Sequence, residues 1–112
     1  MSVDFTGLKA LKTAAADRHI LDLFADDAKR AQSFSVLADG LLFDYSKTNI
    51  DSDQKTALIE LLENADVAGK RDAMFRGEKI NDTEGRAVLH TALRNLDGVD
   101  IIVDGLGIMK GV

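Results

Sequence analysis

The sequence has no cysteine and no proline. Without cysteine there are no disulfides, no thiolate metal sites and no cysteine nucleophiles. The absence also suits a reducing compartment such as the cytoplasm. Without proline, no segment reads as a rigid linker. Basic charge is also in short supply: 14 Lys and Arg stand against 19 Asp and Glu, a formal net charge of −5. That balance argues against nonspecific binding to nucleic acid or to an anionic membrane. The first residues lack the basic start and apolar run of a signal peptide. No apolar stretch approaches the roughly 20 residues of a membrane span.

What is present suits one small folded unit. The chain has 112 residues, 46% hydrophobic and 29% charged, which is ordinary for a globular domain. Leu, Ile, Val and Phe recur in every segment, which excludes a disordered tract. No internal repeat or low-complexity tract stands out.

Periodicity predicts a helix over 5–18, with Leu8, Leu11 and Ala15 on one face. The apolar residues Ile20, Leu21, Leu23 and Phe24 follow. Asp26 and Asp27 can then open a helical turn running to Gln32. "FSVLADGLLFDYS" places Asp39-Gly40 between two apolar runs, the pattern of a β-hairpin with strands near 33–38 and 41–45. Residues 51–64 read as the clearest helix. Asp51 and Gln54 have capping-box spacing, and Ala57, Leu58, Leu61, Leu62 and Ala65 line one face. A further helix is expected from Val67 to Phe75, capped by Asp66, with Val67, Met74 and Phe75 inward and Gly77 as its stop. "GEKINDT" reads as a loop.

A helix is then expected from Thr83 or Glu84 to Leu96, burying Val88, Leu89, Ala92, Leu93 and Leu96. Val99 and Ile101 to Val103 read as a strand, Asp104-Gly105 as a tight turn, and Leu106 to Met109 as its partner. An isolated apolar hairpin is marginal in water, so cover from further chain is expected. The fold class is α+β and mostly helical: about five helical segments with two short β-hairpins, in a single unit over 1–112.

Three constellations invite a chemical reading. Arg86, His90 and Arg94 are four residues apart, so on a helix they form one potentially cationic ridge. Such a ridge can hold a phosphate, or it can pair with neighbouring carboxylates as scaffold. The scaffold reading is preferred. Glu78, Lys79, Asn81, Asp82, Thr83 and Glu84 are dense in polar groups, but a helix-capping region looks the same. His19 and His90 have no metal-binding spacing. Gly105-x-Gly107 opens no helix and is not a nucleotide loop. Ser33, Ser35 and Ser46 have no nearby His–acid partner in sequence and no GxSxG. From spacing alone no enzyme mechanism can be assembled, and the expected catalytic, substrate-binding and metal residues within the chain are none.

"MFRGEKINDTEGRAVLHTALRN", Met74 to Asn95, resembles the N-terminal signature of the glucose-6-phosphate isomerase family. Met74, Phe75, Gly77 to Asn81, Thr83, Glu84, Arg86 to His90 and Ala92 to Asn95 match it. "LFADDAKRAQSFSVLADGLLFDYSK" and "IIVDGLGIMKGV" are similar to two further family stretches, in the same order. The resemblance covers essentially the whole chain. It implies the N-terminal part of a larger α/β/α sugar-isomerase (SIS-type) protein. It also implies a sugar-phosphate substrate for the parent, no cofactor, and metal-free acid–base isomerisation through an enediol. The family's catalytic groups are expected beyond Val112, so none is carried over to this chain. The expected isolated chain is inactive and scaffolds the absent subdomains. The competing reading is a freestanding protein-interaction module. Both readings leave apolar surface open and imply a homo-oligomer, with no nucleic acid and no membrane as partner. The family's own dimer is formed largely by parts beyond this segment.

Overall fold

The structure, a computed structural model, describes residues 4–111. Residues 1–3 and 112, the ends of the expected 1–112 unit, lie outside the described residues. The chain forms two compact units, Met1–Leu61 and Leu62–Val112.

The first unit opens with α1 (Thr6–Ala14), α2 (Ile20–Asp26) and the single turn α3 (Arg30–Ser33). The amide of Thr6 donates to the Asp4 carboxylate at 2.9 Å, which satisfies one of the free donors at the start of α1. The Asp27 carboxylate likewise accepts from the Lys29 amide at 2.8 Å. Asp27 thus opens the short helical turn that its sequence position predicts. The strands β1 (Ser35–Ala38) and β2 (Leu41–Asp44) pair antiparallel, with Val36 opposite Phe43 and Ala38 opposite Leu41. Asp39 (φ 49°) and Gly40 (φ 76°) are both left-handed. Two left-handed residues make the type I′ turn whose twist matches the strands it joins.

Helix α4 (Ser52–Asn64) follows. Its start is tied to the end of α1. The Arg18 guanidinium pairs with Asp51 and donates to Gln54 Oε1 at 2.8 Å and to Asn49 Oδ1 at 2.9 Å. Asn49 Nδ2 donates to the Ala15 carbonyl at 3.0 Å, and Gln54 Nε2 to the Leu11 carbonyl at 2.9 Å. Polar groups at two helix ends therefore satisfy one another. The core of this unit is small: Ala15, Leu23, Phe34 and the side chain of Arg30 are buried. The expected α4 stripe is half open, with Leu58 and Leu62 exposed.

In the second unit α5 (Val67–Phe75) begins at Asp66, whose carboxylate accepts from the Gly69 amide at 3.2 Å. The cap therefore forms where the sequence places it. The expected inward face does not, because Val67 and Phe75 are exposed and Ala73 is the buried residue. Gly77 stops the helix at φ +79°. A Cβ there would stand 2.8 Å from the Ile102 carbonyl and from Ile101 Cγ2, so both backbone angle and space require glycine.

The expected helix over Thr83–Leu96 does not form. Asn81 instead closes a tight loop. Its carbonyl accepts from the Gly85 amide at 2.8 Å, its side chain accepts from the Glu84 amide at 3.2 Å, and it bridges Arg86. Gly85 within that loop has φ +62°, which no right-handed helix tolerates. Only Ala92–Arg94 makes a short 3-10 turn. Of the intended stripe, Leu93 and Leu96 are 72% and 95% exposed. A helix is held mainly by burying its apolar face, and of this face only Ala92 is buried, with Val88 and Leu89 half-buried.

The chain ends in β3 (Ile102–Val103) and β4 (Leu106–Gly107), paired antiparallel. They turn at Asp104 (φ 51°) and Gly105 (φ 79°), a second type I′ turn on the same dipeptide. The strands are shorter than expected: Val99 and Ile101 fall outside β3, and Met109 begins a 3-10 turn. Among the described residues, five α-helices with two short hairpins make an α+β chain. The expected helix over Thr83–Leu96 is missing from the five, and α2, over the apolar run from Ile20, completes the count.

Candidate functional site

The three-residue basic ridge is dismantled by the loss of its helix. Arg86 sits in the Asn81 loop, largely exposed, with its nearest carboxylate, that of Glu84, at 4.0 Å. His90 and Arg94 remain neighbours, because the Arg94 guanidinium donates to the His90 carbonyl at 3.2 Å. That bond turns the cation onto the backbone of its own segment.

His90 and Arg94 line a groove of about 820 Å³, together with Phe75, Arg76, Val99 and Ile102 among others. Its groups come from the end of α5, the 3-10 turn and the approach to β3. Asn95 shapes the rim: its Nδ2 donates to the Val99 carbonyl at 2.8 Å and its Oδ1 accepts from the Asp97 amide at 3.0 Å. The Asp100 carboxylate accepts from the Met109 amide at 3.1 Å, which binds it to the backbone beside β4. Arg76 is held by Glu78, whose carboxylate accepts from Nε at 2.7 Å. Arg76, Arg94 and Asp100 are therefore engaged in fastening the chain. Phe75, Val99 and Ile102 give the groove an apolar wall that is exposed.

The polar run from Glu78 to Glu84 behaves as loop chemistry. Lys79 pairs with Asp104 at 3.0 Å, tying the loop to the turn of the last hairpin. Asn81 caps the loop, and Glu84 flanks Arg86. Among the serines, the Ser35 hydroxyl donates to the Gln32 carbonyl at 3.3 Å, and the Ser33 carbonyl accepts from Lys55 Nζ at 3.2 Å. Ser46 is buried, and its amide donates to the Asp44 carboxylate at 2.9 Å. His19 stands at the start of α2, where its amide donates to the Asp22 carboxylate at 3.3 Å. Among the described residues no group of three His, Cys, Asp or Glu could hold a metal ion. No helix among them is long and apolar enough to cross a membrane.

Arg30 is the residue whose importance sequence reasoning missed. It is 2% exposed. It donates from Nε to the Ser46 carbonyl and from Nη2 to the carbonyls of Thr48 and Ile50, each at 2.8 Å. Its guanidinium lies 4.2 Å from the centroid of Phe34 and 5.5 Å from that of Phe24. A planar fork of donors is the group suited to gather three carbonyls under an aromatic ring. The available signal was its place between Phe24 and Phe34 in the run from Leu23 to Ser35.

Comparison with known proteins gives this chain a family. A family model described as phosphoglucose isomerase matches residues 44–112. A glucose-6-phosphate isomerase of Ruegeria pomeroyi is 54% identical over 108 residues, covering 96% of this chain and 20% of that protein. One of Cereibacter sphaeroides is 56% identical over 105 residues, 94% of this chain and 19% of the relative. One of Methylococcus capsulatus is 53% identical over 97 residues, 87% and 18%. The chain spans about a fifth of the length of these curated relatives. With more than half of its residues inside the family match, the chain belongs to the phosphoglucose isomerase family.

Proposed function

We propose that this chain serves as the N-terminal portion of a glucose-6-phosphate isomerase. The parent enzyme interconverts glucose 6-phosphate and fructose 6-phosphate in the cytoplasm, in glycolysis and gluconeogenesis. The observation that carries the reading is 54% identity over 96% of the chain to a relative five times longer. The reaction moves a proton between neighbouring carbons through an enediol, which needs a positioned acid and base. Arg76, Arg94, Asn95 and Asp100 around the groove are engaged in local hydrogen bonds and ion pairs, which supports a scaffolding role for this segment. The acid–base machinery then belongs to the remainder of the parent.

The test is a coupled assay of fructose 6-phosphate conversion by the purified 112-residue chain. No turnover above buffer is expected, while a longer product of the same reading frame is active. Substantial turnover by the chain alone overturns the scaffold reading. One observation favours a second reading, a freestanding interaction module: the β1–β2 hairpin is apolar and exposed on both faces. A coding sequence that stops at Val112 would support it.

A further inference from the structure

The chain holds three Asp–Gly steps: Asp39–Gly40, Asp97–Gly98 and Asp104–Gly105. An Asp–Gly step can rearrange without an enzyme, because glycine puts no side chain in the way of its own amide. The glycine nitrogen attacks the Asp Cγ and an N–Cγ bond forms. The amide proton and the carboxyl hydroxyl leave together as water, which closes a succinimide ring. Water then opens the ring at one of its two carbonyls. Opening at Cγ restores aspartate. Opening at the main-chain carbonyl breaks the original peptide bond and leaves the chain running through the side chain, as isoaspartate. No oxidant, metal or second reactant is needed.

The three steps share this chemistry and differ in how their backbone is held. Space does not separate them, since a Cβ on Gly40, Gly98 or Gly105 would meet nothing within 4 Å. Conformation does. Asp39 and Asp104 have φ 49° and 51° and open type I′ turns. Such a turn sets ψ of its first central residue at about +30°. The next amide nitrogen then lies nearly opposite the side chain across the Cα–C bond, out of reach of Cγ. Rotating it into reach breaks the turn, and each turn is clamped by strand pairs, Ala38 with Leu41 and Val103 with Leu106. Asp104 is held further by Lys79 at 3.0 Å, which keeps its carboxyl ionised and so without the hydroxyl that must leave.

Asp97 carries none of these restraints. It lies between the 3-10 turn that ends at Arg94 and β3, which begins at Ile102, and it is not left-handed. Its carboxylate has no ion pair among the described residues. Two exposed bonds made by the Asn95 side chain hold the bend, from the Asp97 amide at 3.0 Å and to the Val99 carbonyl at 2.8 Å. Bonds of this kind open locally at little cost.

We propose that Asp97 is the preferred site of spontaneous isoaspartate formation in this chain. The inference does not depend on the isomerase reading. The product inserts one methylene into the main chain between Leu96 and Gly98. That carries the Val99 carbonyl away from Asn95 and remodels the rim of the groove beside His90.

The test incubates the folded 112-residue chain in mildly acidic buffer made with heavy-oxygen water, since each ring opening leaves one heavy oxygen at its own site. Trypsin in ordinary water then releases Asn95–Lys110, which carries Asp97 and Asp104 together, and Ala31–Lys47, which carries Asp39. Fragment masses compare the sites, and isoaspartyl peptides separate as peaks of their own. Label at Asp97 is expected to grow at least about tenfold faster than at Asp39 or Asp104, the ratio set by the cost of opening their turns. In chain unfolded by guanidinium chloride the three rates are expected to come together. K79A is expected to speed Asp104 while leaving it behind Asp97. Equal rates in the folded chain, or a lead at Asp39 or Asp104, overturn the proposal. A lead at Asp97 that persists unchanged on unfolding overturns backbone freedom as its cause. Asp104 overtaking Asp97 in K79A overturns the turn as the restraint.

Discussion

Asp51 and Gln54 cap one another at the start of α4. The Gln54 amide donates to Asp51 Oδ1 at 2.8 Å, and the Asp51 amide donates to Gln54 Oε1 at 3.0 Å. The Gln54 amide holds the Asp51 carboxyl below the usual carboxylate range, and the Arg18 pairing adds to this against the opposing effect of burial. A carboxylate lowered in the folded state stabilises fully above its unfolded value, near pH 4, and loses that contribution as pH falls through the folded value. Acid titration of the folded chain is therefore expected to loosen the junction of α1 and α4 below about pH 4. In D51N the acid slope should flatten, as followed by urea midpoints at pH 3 and pH 7. D51A should cost about 1 kcal/mol at neutral pH through loss of the cap.

Arg30 is expected to be the most sensitive polar position in the first unit. Truncation strands the buried carbonyl of Ser46 and the part-buried carbonyls of Thr48 and Ile50, and opens a void beneath Phe34. R30A should lower stability by about 3 kcal/mol or more, measured by chemical denaturation. R30K should recover little of this, because an ammonium cannot reproduce the planar fork that reaches three acceptors under a ring.

What the sequence disclosed was the local chemistry. Both Asp-Gly turns, the Asp66 cap and the Asp51–Gln54 box are decided by a few adjacent residues, and each stands where its spacing places it. What it hid depends on distant chain. The Leu89–Leu93–Leu96 stripe has helical period, but period predicts a helix only where a surface waits to cover it. Leu96 is 95% exposed, so the local demands of Asn81 and Gly85 prevail. The basic ridge was an artefact of the same assumption, since its geometry existed only on that helix. Arg30 was hidden for the opposite reason: nothing in its own neighbourhood announces that three carbonyls some 16–20 residues away will converge on it. The family resemblance was legible because it rests on identities and not on conformation, and the family match bears it out.

Two glycines separate backbone strain from crowding. Gly77 and Gly98 have similar left-handed angles, φ 79° and 71°. A Cβ at Gly98 would meet nothing within 4 Å, whereas one at Gly77 would stand 2.8 Å from the Ile102 carbonyl. G98A should therefore cost about 1 kcal/mol from conformation alone. G77A adds a clash with backbone at β3 and should cost at least about 2 kcal/mol more. Thermal denaturation of the two variants side by side reads the difference. Equal losses would mean that the contact between the α5 stop and β3 relaxes freely.

The dismantled ridge makes a prediction of its own. Arg86 is 78% exposed at its side chain, and its only carboxylate contact among the described residues is at the 4.0 Å limit. Exposed pairs of this kind contribute little. R86A should shift stability by less than about 0.5 kcal/mol. N81A, on the same loop, removes the acceptor for the Glu84 amide and should cost about 1 kcal/mol. If Thr83–Leu96 were instead helical, R86A and N81A would change places in effect: N81A would fall outside the helix, and loss of the ridge would remove cationic side chains from its exposed face. Helix content separates the cases as well. G85A favours a helix across this segment by about 1 kcal/mol, yet it should lower stability here, because Gly85 sits at φ +62°. Circular dichroism and denaturation of G85A decide it: loss of stability without added helix supports the Asn81 loop, and a gain of both overturns it.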